Sequence, residues 1–398
     1  MSLRHSFLVL VSLLVSVAGA CAQNSLDPSI AAARSGRIGI VHAMGAPSTG
    51  IVLTIRDSIN ATEATTIVCN EKMPGRGITG AIAAGANDAF LVVWEQNAGA
   101  TSQLWCAQYT PAGKQLGTTT LVTDSIAVNG KSPRIAAGAD GRFVVAWQDY
   151  RTQVPNLMYQ LFGADLRKIG QNQLLAAYPG IPVTPVPAIS RANEIAFAYQ
   201  HTLKDTFHVC VRFARWNRKP GKVTIVDRAN NRAYSTNPDL VWLGEKELVV
   251  VWKDYRTRIS DIYLQRLTRE GRLLGTNVKV NDDTTILWQR LPRIAANDSL
   301  VCVVWEDYRN DPRNQMGDIY CQWYRRSGTP VLRNLRVNTS DEPTHQSAPA
   351  VCLAHGASAT IVWCDAQGDT VVIAGRSLGV GEEGRSMTTT GGARTPYK

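Results

Sequence analysis

Seven times along this chain, an apolar run ends in a large ring and is followed by polar turn residues. The anchors are His42, Trp94, Trp147, Tyr199, Trp252, Trp305 and Trp363, with successive spacings of 52, 53, 52, 53, 53 and 58 residues. A fixed period of this size means repeated supersecondary units that bury their faces against one another. A residue present in most copies therefore serves the scaffold first.

The copy from Pro238 to Asp283 is the clearest. It reads as a short strand at Pro238-Asp239-Leu240-Val241, a turn at Gly244-Glu245-Lys246, and the apolar run Leu248 to Trp252. An alternating strand from Asp261 to Leu267 and a fourth strand around Val278-Lys279-Val280 follow. Four short strands without helical period make an antiparallel meander. The second strands (Leu91 to Trp94, Val144 to Trp147, Val303 to Trp305) are apolar at every position. Such a strand is covered on both faces. Sister sheets around an axis supply that cover, which predicts an all-β, seven-bladed β-propeller of four-stranded antiparallel blades, about 53 residues per blade. The first copy sets the count at seven, because Pro28 to His42 aligns without a gap on Pro133 to Trp147.

The expected organisation is a signal peptide at 1–22, a propeller at 23–390 and a tail at 391–398. Arg4 and His5 precede an apolar run from Phe7 to Val17, and Ala18, Gly19 and Ala20 follow it. This is the pattern of an export signal, too short to span a membrane. Cleavage after Ala22 and lipidation at Cys21 both fit these residues. The expected location is accordingly secreted or periplasmic in the cell envelope, with a lipid anchor if Cys21 is modified. No N-terminal strand is available to complete the last blade, so its fourth strand should fall near Ser386 to Thr390.

The repeat Val303-Val304-Trp305-Glu306-Asp307-Tyr308-Arg309 with Asp318-Ile319-Tyr320, and its counterpart at 250–256 with Asp261-Ile262-Tyr263, resembles that of secreted bacterial β-propeller proteins of largely unassigned function. The resemblance implies a propeller and export. It brings no catalytic residues.

The Asp-Tyr-Arg triplets at 149–151, 254–256 and 307–309 allow two readings. Tyr150, Arg151, Tyr255, Arg256, Tyr308 and Arg309 could form a ligand-binding rim, since loop and crossover share one face. Recurrence favours an internal turn clamp, with Asp accepting backbone N–H bonds and Arg pairing to a neighbour. Trp288 and His345 lie in crossovers outside the repeat and are candidate ligand contacts. So are Arg212, Arg215 and Trp216 of the basic fourth copy, where cations and rings mix.

No H-E-x-x-H, C-x-x-C or Ser-x-Asp-x-Gly-x-x-Trp pattern occurs, and no carboxylate pair stands out for glycoside chemistry. No cofactor is expected. Calcium is the one ion that the acidic crossovers Asn281-Asp282-Asp283 and Ser340-Asp341-Glu342 would suit. Cys302 with Cys321, and Cys352 with Cys364, fall on adjacent strands as candidate disulfides. The net charge of +10 points to anionic partners. The expected function is a monomeric, non-catalytic binding or adhesion scaffold for an anionic glycan or an envelope or extracellular protein. Nucleic acid is not an expected partner. A carbohydrate-active hydrolase or lyase using loop carboxylates is the alternative.

Overall fold

The computed structural model describes residues 27–395 except 45–49, 100, 127, 153, 178–184, 204–205, 217, 229–233, 340–343, 354–355, 368–369 and 381–386. The export signal, Cys21 and the acidic crossover at 340–342 lie outside the described residues. Among those described, twenty-eight strands form seven four-stranded antiparallel meanders. The blades span 29–68, 76–121, 130–176, 186–225, 235–279, 289–336 and 346–395. Each first strand neighbours the first strand of the next blade, and that of blade seven neighbours that of blade one. The ring is closed without strand exchange. The last strand, Met387–Thr395, pairs with Thr370–Val380, so it occupies the expected place but runs into the segment expected as a tail.

Alternate residues of one apolar strand enter different cores. Phe143, Val145 and Trp147 pack with Leu91, Val93 and Leu104 of blade two. Val144 and Ala146, between them in sequence, pack with Ile195, Phe197 and Tyr199 of blade four. Seven such inter-blade cores exist, and the one joining Ile30, Ile38 and Ile40 to Val362, Cys364 and Ile373 closes the circle. This is why the second strands lack a polar face. In blade one Gly39 takes the place of Val144. A Cβ there would lie 2.6 Å from Ile82 Cδ1 and 2.8 Å from the Phe90 ring, so glycine in blade one makes room for the larger residues opposite it.

A second recurrence joins the blades. Gln160 and Asn172, Gln265 and Asn277, and Gln322 and Asn334 are each twelve residues apart and hydrogen-bonded at 2.7, 2.8 and 2.7 Å. Each Asn amide also donates across the blade boundary, to the carbonyls of Val122, Val226 and Val280. Each Asn Oδ1 accepts the N–H of Asp124, Arg228 or Asp282 two residues further on. A side-chain amide thus imitates a strand partner for the preceding blade. Asn334→Ala should lower stability by about 1–3 kcal/mol. The Asp282 amide should exchange hydrogen faster in this variant, and an unchanged exchange rate would contradict the bridge.

The first strands that line the axis carry a bulge. In blades three, five, six and seven, two residues oppose each anchor tryptophan: Ser132-Pro133, Asn237-Pro238, Leu291-Pro292 and Ala348-Pro349. The first of each pair has φ of 50°, 53°, 46° and 49°. Proline suits the second place because no ladder bond is needed there. The freed N–H of Ser132 donates to Glu95 Oε2 at 2.9 Å, and that of Ala348 to Glu306 Oε1 at 2.7 Å. Both glutamates belong to the preceding blade.

Candidate functional site

The Asp-Tyr-Arg triplets form clamps. The Oδ2 of Asp149, Asp254 and Asp307 accepts the indole N–H of Trp147, Trp252 and Trp305 at 3.1, 2.8 and 2.7 Å. The Oδ1 of each accepts the backbone N–H and the Nε–H of the arginine two residues on. Arg151 and Arg309 reach further to Asp124 and Asp282, at the ends of the preceding blades. Arg256 and Arg309 stack on Tyr263 and Tyr320 at 4.0 and 4.3 Å. The Asp-Ile-Tyr motif therefore accompanies the triplet because its ring receives the guanidinium. Its aspartates are engaged too. Asp261 accepts from Asn281 and is ion-paired with Lys279, and Asp318 accepts from Asn338 and is ion-paired with Arg336.

The tyrosines of the triplets stand apart from the clamps. They lie on the crossover face, each with a cation: Lys131 Nζ is 5.2 Å from the Tyr150 ring, Lys253 Nζ is 5.2 Å from Tyr255, and Arg290 is 5.1 Å from Tyr308. In blade six this pair grows into a cluster. Arg290 also stacks 4.2 Å from Trp288. Trp288 meets Tyr308 edge-on at 6.5 Å, and Tyr308 lies 6.0 Å from His345. Three candidates from separate segments thus come together, joined by Arg290, which sequence reading passed over. The Tyr308 N–H to Trp288 carbonyl bond, 3.0 Å, holds the two segments in register. His345 Nδ1 accepts the Gly317 N–H at 3.0 Å, so the proton of the neutral ring is on Nε2. Burial and then the Arg290 charge hold His345 below its ordinary value, which keeps it neutral at pH 7. Glu306 is cross-strand from Arg290. Burial pushes its carboxyl up against the Ala348 N–H bond and the charges of Arg290, Arg293 and Lys253.

Below this mouth, a cavity of about 190 Å³ occupies the axis, lined by Ser29, Arg134, Asn237, Asp239 and Arg293 among others. Asp239 accepts the N–H of Leu240 and that of Ile294 on the next blade, at 2.9 and 3.1 Å.

The fourth copy divides. Arg212 is consumed internally, donating to the carbonyls of Leu175, Pro220 and Gly221. Trp216 donates to the Asn193 carbonyl at 2.8 Å and is covered by Arg142 at 4.2 Å. Arg215 is exposed and borders, with Arg218, Lys219 and Arg269, a groove of about 230 Å³ on the opposite, turn face. Arg212, Arg215 and Trp216 therefore do not join the cluster of blade six.

The cysteine expectation is corrected. All seven described cysteines are buried thiols. Cys302 is opposite Trp323 and Cys321 opposite Val304, so the two are diagonal neighbours with their thiols hydrogen-bonded. Cys352 pairs with Thr360 and Cys364 with Ser347, too far out of register to bond. Asp282 is bound to Arg309 and Asn334, and Asp283 to Asn281 and Thr285. Among the described residues no group of three His, Cys, Asp or Glu side chains is arranged to hold a metal. No helix among them is long and apolar enough to cross a membrane.

No known protein family and no curated protein matches the chain. Solved structures do. A protein of unknown function from Dyadobacter fermentans is 11% identical over 89% of this chain and 94% of its own, with a TM-score of 0.51. A puromycin hydrolase is 13% identical over 94% of this chain, TM-score 0.56, but the chain spans only 55% of that enzyme. An α-L-arabinofuranosidase from Fusarium graminearum is 11% identical over 77% of this chain and 94% of its own, TM-score 0.51. Likeness at these identities shows the fold: the chain is a seven-bladed β-propeller.

Proposed function

We propose that this protein is an exported, non-catalytic binding scaffold whose crossover face takes an anionic glycan or a surface protein that carries one. The observation that carries this reading is the blade-six cluster. Trp288, half-buried, offers a flat apolar ring backed edge-on by the buried Tyr308, Arg290 adds a cation over both, and His345 closes one side. Rings stack on sugar faces while guanidinium meets acidic substituents. The Lys131–Tyr150 and Lys253–Tyr255 pairs repeat the same chemistry around the mouth. The net charge of +10 has the matching sign. That an arabinofuranosidase shares the architecture fits a sugar ligand. Binding is favoured over hydrolysis because the acids bordering this face are already engaged. Glu306 and its counterpart Glu95 each hold a bulge N–H of the following blade.

The protein should be retained on immobilised heparin at low ionic strength and elute as salt rises through the range where charges are screened. Arg290→Ala and Trp288→Ala should each weaken affinity for heparin fragments about 2- to 30-fold. Absence of retention in low salt, or salt-independent retention, would count against the proposal.

A further inference from the structure

The axial cavity has a composition the repeat does not explain. One residue in each first strand pairs with the residue preceding the anchor ring. These are Ser29, Ala81, Arg134, Val186, Asp239, Arg293 and Ala350. All but Ala81 line the cavity. Three of the seven, Ala81, Val186 and Ala350, are apolar, as a packed axis requires, and Ser29 is a small hydroxyl. Arg134, Asp239 and Arg293 break that rule from blades three, five and six.

Their hydrogen bonds leave the guanidiniums with spare donors. Asp239 spends its two oxygens on backbone N–H groups. Arg293 spends one donor on the Pro292 carbonyl at 3.0 Å. For Arg134, no hydrogen bond or ion pair is found among the described residues. Asp27 and Asp239 attract it and Arg293 repels it, while burial pulls it down from its ordinary value. Around the cavity and its mouth, Arg134, Arg293, Arg290, Lys253 and Lys131 stand against Asp27, Asp239, Glu306 and Glu95: five cations against four carboxylates. Fixed positive charge in a confined space calls for an anion. Two guanidiniums suit a carboxylate, which each can hold by a two-bond fork. An apolar cavity of about 150 Å³ admits a six-membered carbon ring, so 190 Å³ leaves room for a ring acid.

We propose that the axial channel is a binding site for a small ring carboxylate, held between Arg134 and Arg293, and that the acid group it takes is that of a uronic acid. This rests on the glycan reading of the crossover face and gives it a substrate class: an acidic sugar whose end enters the channel.

The test is calorimetric titration of the full chain with glucuronate, with glucose and sulfate as comparisons, alongside the heparin column. Glucuronate should bind at one site per chain and glucose should not. Arg134→Gln and Arg293→Gln should each weaken glucuronate binding about 10- to 150-fold. Thermal unfolding of Arg134→Gln should be no lower than that of the parent, since its guanidinium is unpartnered. A silent glucuronate titration with heparin still retained would overturn the channel site and leave the crossover face standing. Glucuronate bound without heparin retention would do the reverse. Undiminished glucuronate binding by Arg134→Gln and Arg293→Gln, or sulfate binding as tight as glucuronate, would overturn the assignment.

Discussion

Trp305→Ala should lower the stability of the whole ring by about 3–5 kcal/mol, the cost of removing a large ring from a closed core. Trp305 is 0% exposed and packs against Val249, Val251 and Leu264 of blade five. Tyr320 stacks on it with ring centroids 6.3 Å apart. The substitution empties space between two sheets, and both are pinned at the axis, so collapse into the gap is limited. Asp307 keeps Arg309 as a partner at 3.0 and 2.7 Å, so the cost comes from packing and not from a stranded charge. Denaturant unfolding should show a lower midpoint at unchanged slope; an unchanged midpoint would refute the burial argument. Phenylalanine at Trp94 and at Trp305 separates packing from hydrogen bonding. Both indoles are buried, but Trp94 Nε1 has no partner whereas Trp305 Nε1 donates to Asp307 at 2.7 Å. Trp305→Phe should therefore cost about 1 kcal/mol more than Trp94→Phe.

The sequence reveals its scaffold through recurrence, and recurrence also sets the limit of what can be read. An apolar run ending in Trp, repeated at 53 residues, has one economical explanation, so architecture and blade count were legible. So was the clamp: a triplet found three times serves three blades. The Gln–Asn pair at twelve residues was equally periodic and equally visible, but its meaning depends on reaching the preceding blade, which no single strand pattern discloses. The bulges were hidden for the same reason. Ser132-Pro133 reads as an ordinary strand start until two residues are seen to oppose Trp147. The candidate site was only partly legible. Trp288 and His345 could be marked as residues the repeat does not need, and Tyr308 as a member of the recurring triplet. Their meeting through Arg290 required three segments to converge. The channel charges were accessible by aligning the seven first strands and asking which position varies in character. At the place held by Ser29, Ala81, Val186 and Ala350, Arg134, Asp239 and Arg293 are the departures. Cysteine pairing failed as a prediction because adjacency of strands does not fix register, and Cys352 and Cys364 are on the same two strands but bonded to distant rungs.

Asp254 carries the second large effect. Its side chain is wholly buried and accepts from Trp252 Nε1 at 2.8 Å, Ser235 Oγ at 3.1 Å, and the backbone N–H and Nε of Arg256 at 2.8 and 2.9 Å. Burial alone would raise its carboxyl. The bonds from Arg256 and Trp252 outweigh that and hold it below the usual carboxylate range. Asp254→Ala removes the acceptor from all of these donors at once. It leaves a mostly buried Arg256 with Asn277 at 3.1 Å and the Tyr263 ring. Breaking one side of such a pair costs about 3–5 kcal/mol. The depressed value also sets a sign with pH. The unfolded carboxyl takes up its proton near an ordinary value of about 3.9, before the folded one does. The stabilisation is therefore full above that value and is lost as pH falls through it toward the lower folded value. Asp254→Asn keeps the shape but cannot titrate, so its acid unfolding limb should be shallower than that of the parent below about pH 4. Parallel limbs for the two proteins would show that Asp254 carries no linked charge, and the clamp would then be a matter of shape alone.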